Sequence, residues 1–216
     1  MIGYKAFNSD WTCRGKQYKV GESYHEDNVK LCKHGMHFCT ELEDIFWYYH
    51  YKPTMKLAKV EASGTIIGSE EDSKHVTSDL KVLEEIDPNS EAVQLAAVKQ
   101  NGYAIEDIAN PSEELKLEAV KENGEVIKYI ANPSEAVKLE AVKQNGYAIW
   151  YITYQSEELQ LAAVKQNGYA IECIDNPSEA VKLAAVSQDG CAIQFIGNPS
   201  KEVQLAAARQ RAILVY

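Results

Sequence analysis

The sequence predicts an α+β domain over residues 1–86, followed by an all-α solenoid of six 22-residue helical hairpins over residues 87–216. Three observations carry this. Serines recur at Ser90, Ser112, Ser134, Ser156, Ser178 and Ser200, a constant spacing of 22. Glycines keep step at Gly102, Gly124, Gly146, Gly168 and Gly190, with Ala212 in the sixth place. Residues 1–86 lack that register and show strand-like alternation instead.

In the first region, "GYKAFN" (3–8), "KQYKVG" (16–21), "GMHFCT" (35–40), "KLAKVEASGTIIG" (56–68) and "HVTSDLKVL" (75–83) read as strands. "ELEDIFWYYHY" (41–51) reads as a helix with Leu42, Ile45, Phe46 and Tyr49 on one face, and "GSEEDS" (68–73) as a turn. "KVLEEI" (81–86) aligns with "YAIEDI" (103–108), so it reads either as a half-copy of the repeat or as a closing strand.

Within the array, "NPSEELKLEAVKENGEVIKYIA" (110–131) shows how a copy punctuates itself. Asn110 is the expected N-cap, Pro111 the first helical residue and Glu113 the third, where its carboxylate reaches back to the cap. Gly124 is expected to end a helix of about 12 residues by taking the left-handed conformation. "EVIKYIA" then forms a second, shorter helix. Leu115, Leu117, Ala119 and Val120 stripe the first helix, and Val126, Ile127 and Ile130 the second. Neither helix holds alone at that length, so the copies must stack. Alanines at Ala97, Ala119, Ala141, Ala163, Ala185 and Ala207 permit close approach. Glu91, Glu113, Glu135, Glu157 and Glu179 lie in first turns, and Lys99, Lys121, Lys143, Lys165 and Arg209 in last turns, as the helix dipole favours. "ARQRAILVY" (208–216) loses the Asn-Gly turn, as a terminal copy does.

Composition narrows the function classes. The formal net charge is −10, divided as −3 over residues 1–86 and −7 over residues 87–216. Such a surface repels phosphate backbones, which disfavours direct nucleic-acid binding and suits a basic protein partner. An acidic nucleic-acid mimic is the related alternative, and the row from Lys99 to Lys165 counts against it. No run of about 18 apolar residues spans a membrane. The opening "MIGYKAFNSDWTC" lacks an export-signal pattern, and five scattered cysteines argue for a reducing compartment, so a cytoplasmic protein is expected.

Chemistry-bearing residues are sparse. "CKHGMHFC" puts Cys32, His34, His37 and Cys39 within eight residues, with Cys13, His25 and His50 elsewhere in the region, but the spacing fits no common zinc pattern. No metal site and no cofactor is expected. Cys13, His37 and Asp44 form a conceivable nucleophilic set with nothing to place them together. The order of "GMHFC" and "FWYY" is faintly similar to the glycine–aromatic strand and following helix of ADP-ribosyltransferases. That likeness implies His37 with Tyr48 or Tyr49 along a nicotinamide slot; no acidic residue has a matching context, and Glu61 in "KVEASG" is the one candidate.

The 22-residue copies resemble a repeat family of unknown function, domain of unknown function 4116. "GYKAFNSDWTCRGKQYKVGESY" with "LCKHGMHFCTELEDIFWYY" is similar to an uncharacterised N-terminal domain carried by phage and prophage proteins. These resemblances imply a small phage-type protein in the bacterial host cytoplasm. Such proteins often disable a host defence complex, as anti-CRISPR proteins do, by binding it. No catalytic residues come with either resemblance.

One copy departs from the rest. Where its neighbours read "YAIEDIANPS" and "YAIECIDNPS", residues 147–156 read "YAIWYITYQS". Trp150 occupies a rank that is otherwise charged or polar. Tyr129 and Tyr151 hold one rank in adjacent copies, and Tyr154 replaces Asn. Losing the Asn-Pro pair is expected to cost about 1 kcal/mol. Exposed Trp and Tyr anchor interfaces. Tyr129, Trp150, Tyr151 and Tyr154 are therefore the expected partner-binding residues of a non-enzymatic binding protein. A second copy of the chain would fit the same patch, so a homo-oligomer is an open alternative.

Overall fold

The computed structural model describes residues 1–31, 33–68 and 73–213. Cys32, most of the expected turn over 68–73, and the last three residues of the terminal copy lie outside the described residues. The chain divides into two compact units, Met1–Asn110 and Pro111–Tyr216.

Among the described residues, the first unit is built on seven strands, β1 (Ile2–Phe7), β2 (Thr12–Cys13), β3 (Lys16–Gln17), β4 (Ser23–His25), β5 (Met36–Cys39), β6 (Lys56–Gly68) and β7 (Lys74–Ile86). Five of them form one antiparallel sheet in the order β4-β7-β5-β1-β6. Because β6 also pairs with β7, the ladder β7-β5-β1-β6 returns to β7 and closes on itself. Closure protects strand edges that would otherwise expose unpaired backbone. Phe7, Tyr18, Met36, Phe38, Val60, Leu80 and Val82 fill the interior.

Of the two readings of "KVLEEI", the closing strand holds: it is the end of β7, where Val82 pairs with Val60 and Ile86 with Leu57. The ladder to β6, with Val82 buried, outweighs the chance alignment with the repeat. Two other expectations are corrected in this unit. Of "KQYKVG", only Lys16 and Gln17 are strand. The helix expected over 41–51 shrinks to a 3₁₀ helix over Glu43–Trp47 with Ile45 as its buried residue. The α-helix Glu91–Gln100 (α1) and the 3₁₀ helix Gly102–Asp107 complete this unit. Lys52 Nζ lies 2.9 Å from both carboxylate oxygens of Asp107, and the Tyr51 hydroxyl donates to the Pro88 carbonyl at 3.3 Å.

The second unit repeats one hairpin. Helices α2 (Glu113–Glu122), α3 (Glu135–Gln144), α4 (Glu157–Gln166), α5 (Glu179–Gln188) and α6 (Lys201–Ile213) alternate with 3₁₀ helices over Gly124–Tyr129, Gly146–Tyr151, Gly168–Cys173 and Gly190–Phe195. The expected second helices are present, but as 3₁₀ and not α. Six residues between an Asn or Asp cap and an Ile leave room only for i→i+3 bonds, such as Ile152 N–H to the Ile149 carbonyl at 3.0 Å. Ala119, Ala141, Ala163, Ala185 and Ala207 are fully buried, as close helix approach requires.

The punctuation differs from expectation by two residues. Ser112, not Asn110, caps α2, accepting the Leu115 N–H at 3.3 Å; Ser134, Ser156, Ser178 and Ser200 do the same in their copies. Each α-helix before the last spans ten residues and not about 12. The left-handed residues are the asparagines of the Asn-Pro pairs, Asn110, Asn132, Asn176 and Asn198, with φ near 50° (53°, 49°, 51° and 49°). Asn tolerates that region because its short amide bonds locally. The helix-ending glycines are needed for space, not for handedness. A Cβ on Gly146 would stand 2.6 Å from the Ala163 carbonyl oxygen of the next copy, and on Gly124 2.4 Å from that of Ala141.

A glutamine ladder joins the copies. The side-chain oxygens of Gln144, Gln166, Gln188 and Gln210 each accept the N–H of the glycine 20 residues earlier, at 2.7 Å. These bonds satisfy buried backbone donors that the short 3₁₀ turns leave open. A second ladder runs from Ser134, Ser178 and Ser200 hydroxyls to Glu113, Glu157 and Glu179 of the preceding copies. It skips Glu135, which pairs with Lys138 at 2.7 Å instead.

Candidate functional site

The deviant copy displays its aromatics. Trp150 is 68% exposed and Tyr154 83%, against 38% for Tyr129 and 42% for Tyr151. Neighbouring register explains how two of them meet. Lys128 stands 5.1 Å from the Tyr129 ring and 5.6 Å from the Tyr151 ring, which makes one ammonium a bridge between adjacent copies. Glu125 holds that ammonium at 2.6 Å and accepts the Tyr151 hydroxyl at 3.4 Å. This carboxylate keeps the Lys128 ammonium charged to higher pH than usual.

Trp150 forms the wall between two grooves. One, of about 380 Å³, runs past Glu125, Tyr147, Tyr151 and Glu172. The other, of about 530 Å³, runs past Gln155, Gln160, Glu172 and Asp175. Tyr147, 39% exposed, joins the patch although the sequence reading passed over it. It shares its rank with Tyr103 and Tyr169, so nothing in the register marks it out. Tyr154 lines neither groove and projects outward.

The missing Asn-Pro pair has a structural use that the sequence did not reveal. Tyr154 is not among the left-handed residues, so the corner its neighbours need is absent here. Gln155, in the place of Pro, donates its side-chain amide to the Ile149 carbonyl at 3.0 Å and to the Cys173 carbonyl at 3.2 Å. It thereby ties two successive 3₁₀ turns together. The expected loss of stability is offset at least in part by this link.

In the first unit, the sequence candidates separate. Cys13 and His37 line one cavity with Tyr48 and Tyr49, whereas Asp44 lies outside it. The Cys13 sulfur and the Tyr49 hydroxyl are 3.8 Å apart. Glu61 is exposed on β6, pairs in register with Ile2, and is not part of that lining. His25 is held by Asp79 at 2.7 Å and Asp27 at 3.2 Å, and His50 by Asp107 at 3.3 Å. Those two aspartates raise the affinity of His25 for a proton. Among the described residues, no three His, Cys, Asp or Glu side chains gather as a metal-holding group, and Cys32 lies outside them. No helix among the described residues is long and apolar enough to cross a membrane.

Comparison with known proteins places the first unit. Residues 1–93 match the family described as Domain of unknown function (DUF7666). No curated protein and no solved structure gives a significant match. The family match overturns the resemblance to domain of unknown function 4116, because it falls on the sheet-bearing residues and on another family. The physical reason lies in the repeat. Buried alanines, a tight glycine and a serine cap are what any closely stacked short hairpin demands, so sharing them reports geometry more than kinship.

Proposed function

We propose that the chain is a non-enzymatic binding protein whose repeat array engages a protein partner through Trp150, Tyr151, Tyr129 and Tyr154. The observation that supports this most is Trp150, a large aromatic left 68% exposed between two grooves. Aromatics in such settings dominate binding energy when a partner covers them. Glu125, Glu172 and Asp175 border the same grooves and suit a partner with basic side chains. A defence complex of the bacterial host cytoplasm, of the CRISPR type, is the partner to try first.

The test uses purified chain and reconstituted CRISPR effector complexes, with binding and target cleavage both measured. Wild type is expected to bind and inhibit. Trp150→Ala is expected to lose at least about tenfold in affinity, the lower end for an interface anchor, with an unchanged melting temperature. Full inhibition by that variant would remove the patch from the mechanism. An ADP-ribosyltransferase-like reading has the shared cavity of His37, Tyr48 and Tyr49 in its favour, and the position of Glu61 outside that cavity against it.

A further inference from the structure

The cavity in the first unit, about 360 Å³, has a wall chemistry opposite to that of the chain as a whole. The protein carries 32 Asp and Glu against 22 Lys and Arg. Among the described residues, however, the cavity lining includes Lys5, Arg14 and Lys74 and not one carboxylate. Glu26 lines only the adjoining recess, where Lys16 holds it at 3.1 Å.

The cationic floor is built in, not incidental. Lys5 is only 3% exposed, and its ammonium donates to the His37 carbonyl at 2.7 Å while lying 5.6 Å from both the Phe7 and Tyr18 rings. Burial lowers its affinity for a proton. A buried ammonium is costly unless an anion comes near it. His37 is 8% exposed; the Gly35 backbone lies near the ring and weakly favours its charged form, but neither ring nitrogen reaches a partner at bonding geometry. Buried polar atoms without partners are rare and call for a cause. Burial first, then Arg14, Lys5 and Lys74, bring its pKa down to about 4, so the neutral ring offers one donor and one acceptor. At the rim, Arg14 is the first residue of a tight β2–β3 turn, with positive φ at Arg14 (50°) and Gly15 (78°). Lys74 lies 3.8 Å from the centre of the Tyr48 ring.

We propose that this cavity binds a small molecule that combines one anionic group, phosphate or carboxylate, with a planar ring. Lys5, Arg14 and Lys74 attract the anion. His37 lines the wall beside them, and Tyr48 and Tyr49 flank the ring of the ligand. A volume near the small end of ligand sites suits a nucleoside monophosphate or an aromatic acid. This site is independent of the aromatic face of the array.

The test is calorimetric titration of the full chain with AMP, GMP, CMP and UMP, with 4-hydroxybenzoate and indole-3-acetate, and with inorganic phosphate. Saturable binding of at least one ring-bearing anion is expected, and the nucleotide and acid arms tell the source of the charge. Inorganic phosphate is expected to bind more weakly. Arg14→Gln and Lys74→Gln should each weaken the tightest probe by about tenfold, the scale of one charge-assisted bond. Trp150→Ala should leave it unchanged, which separates this site from the protein-binding face. Lys5→Met tests the floor, and the wild-type titrations decide the question whether or not that variant folds. No binding of any probe, phosphate binding as tight as the rest, or affinity untouched by both rim substitutions would overturn the proposal.

Discussion

The two units solve burial in different ways. Every buried residue described in Pro111–Tyr216 is apolar or glycine, whereas the first unit also buries Lys5, His37, Thr77 and Ser78. The array reaches its stability by repeating one tight contact and leaves its distinctive side chains on the surface. The sheet unit sets polar groups inside, where each must be matched or left costly. The two proposed binding sites accordingly lie on the outside of one unit and in the interior of the other.

The largest expected effect strikes the repeated contact. Gly146→Ala forces a Cβ to within 2.6 Å of the Ala163 carbonyl and 2.9 Å of the Gln166 side-chain oxygen. A loss of about 2–3 kcal/mol is expected in urea unfolding, from overpacking and a broken ladder bond. Gly197→Ala, where a Cβ meets nothing within 4 Å, is expected to stay within about 0.5 kcal/mol of wild type. Equal effects from the two would break the claim that the array rests on close approach.

The polar interior of the first unit is tested by pH. The folded pKa of His37 is about 4, below the ordinary 6.5. The unfolded chain therefore takes up a proton that the native protein refuses. Stability is full above about 6.5 and falls as the pH drops towards about 4. His37→Gln should flatten that decline, seen as a convergence of the two stability curves below pH 6.5. Curves that stay parallel would show that the ring is not the buried neutral group described above.

The smallest effect on stability, and the sharpest for function, comes from restoring the repeat. The double substitution Tyr154→Asn with Gln155→Pro regains the left-handed corner but removes the bonds from Gln155 to Ile149 and Cys173. The two changes oppose each other, so a shift within about 1 kcal/mol is expected. Partner affinity should nonetheless fall through loss of the outward-facing Tyr154. Retained affinity would make the segment a structural splice.

The repeat was legible because its apolar and glycine ranks recur in one register, and the buried alanines bear this out. The glutamine ladder went unread although Gln144, Gln166, Gln188 and Gln210 keep the same spacing of 22. A polar residue at a helix end looks like solvent-facing surface until a neighbouring copy brings a buried N–H to it. The aromatic patch was visible as a break in register, but Tyr147 was hidden by belonging to the register. The cavity was least legible. Lys5 shares a strand face with Phe7, but only the folded sheet unit brings Tyr18 and the His37 carbonyl, 32 residues away, to its ammonium.

By itself the sequence determined the 22-residue period, the order of a strand-rich region before a helical one, and the oddity of residues 147–156, since all three are written in local spacing. The tertiary structure alone decided that Ser112 and not Asn110 caps the helix, that the second helices tighten to 3₁₀, and that Lys5, Cys13 and His37 share a wall. These depend on which distant backbone groups need partners, and on what space a closed sheet or a stacked copy leaves. A linear pattern does not encode either.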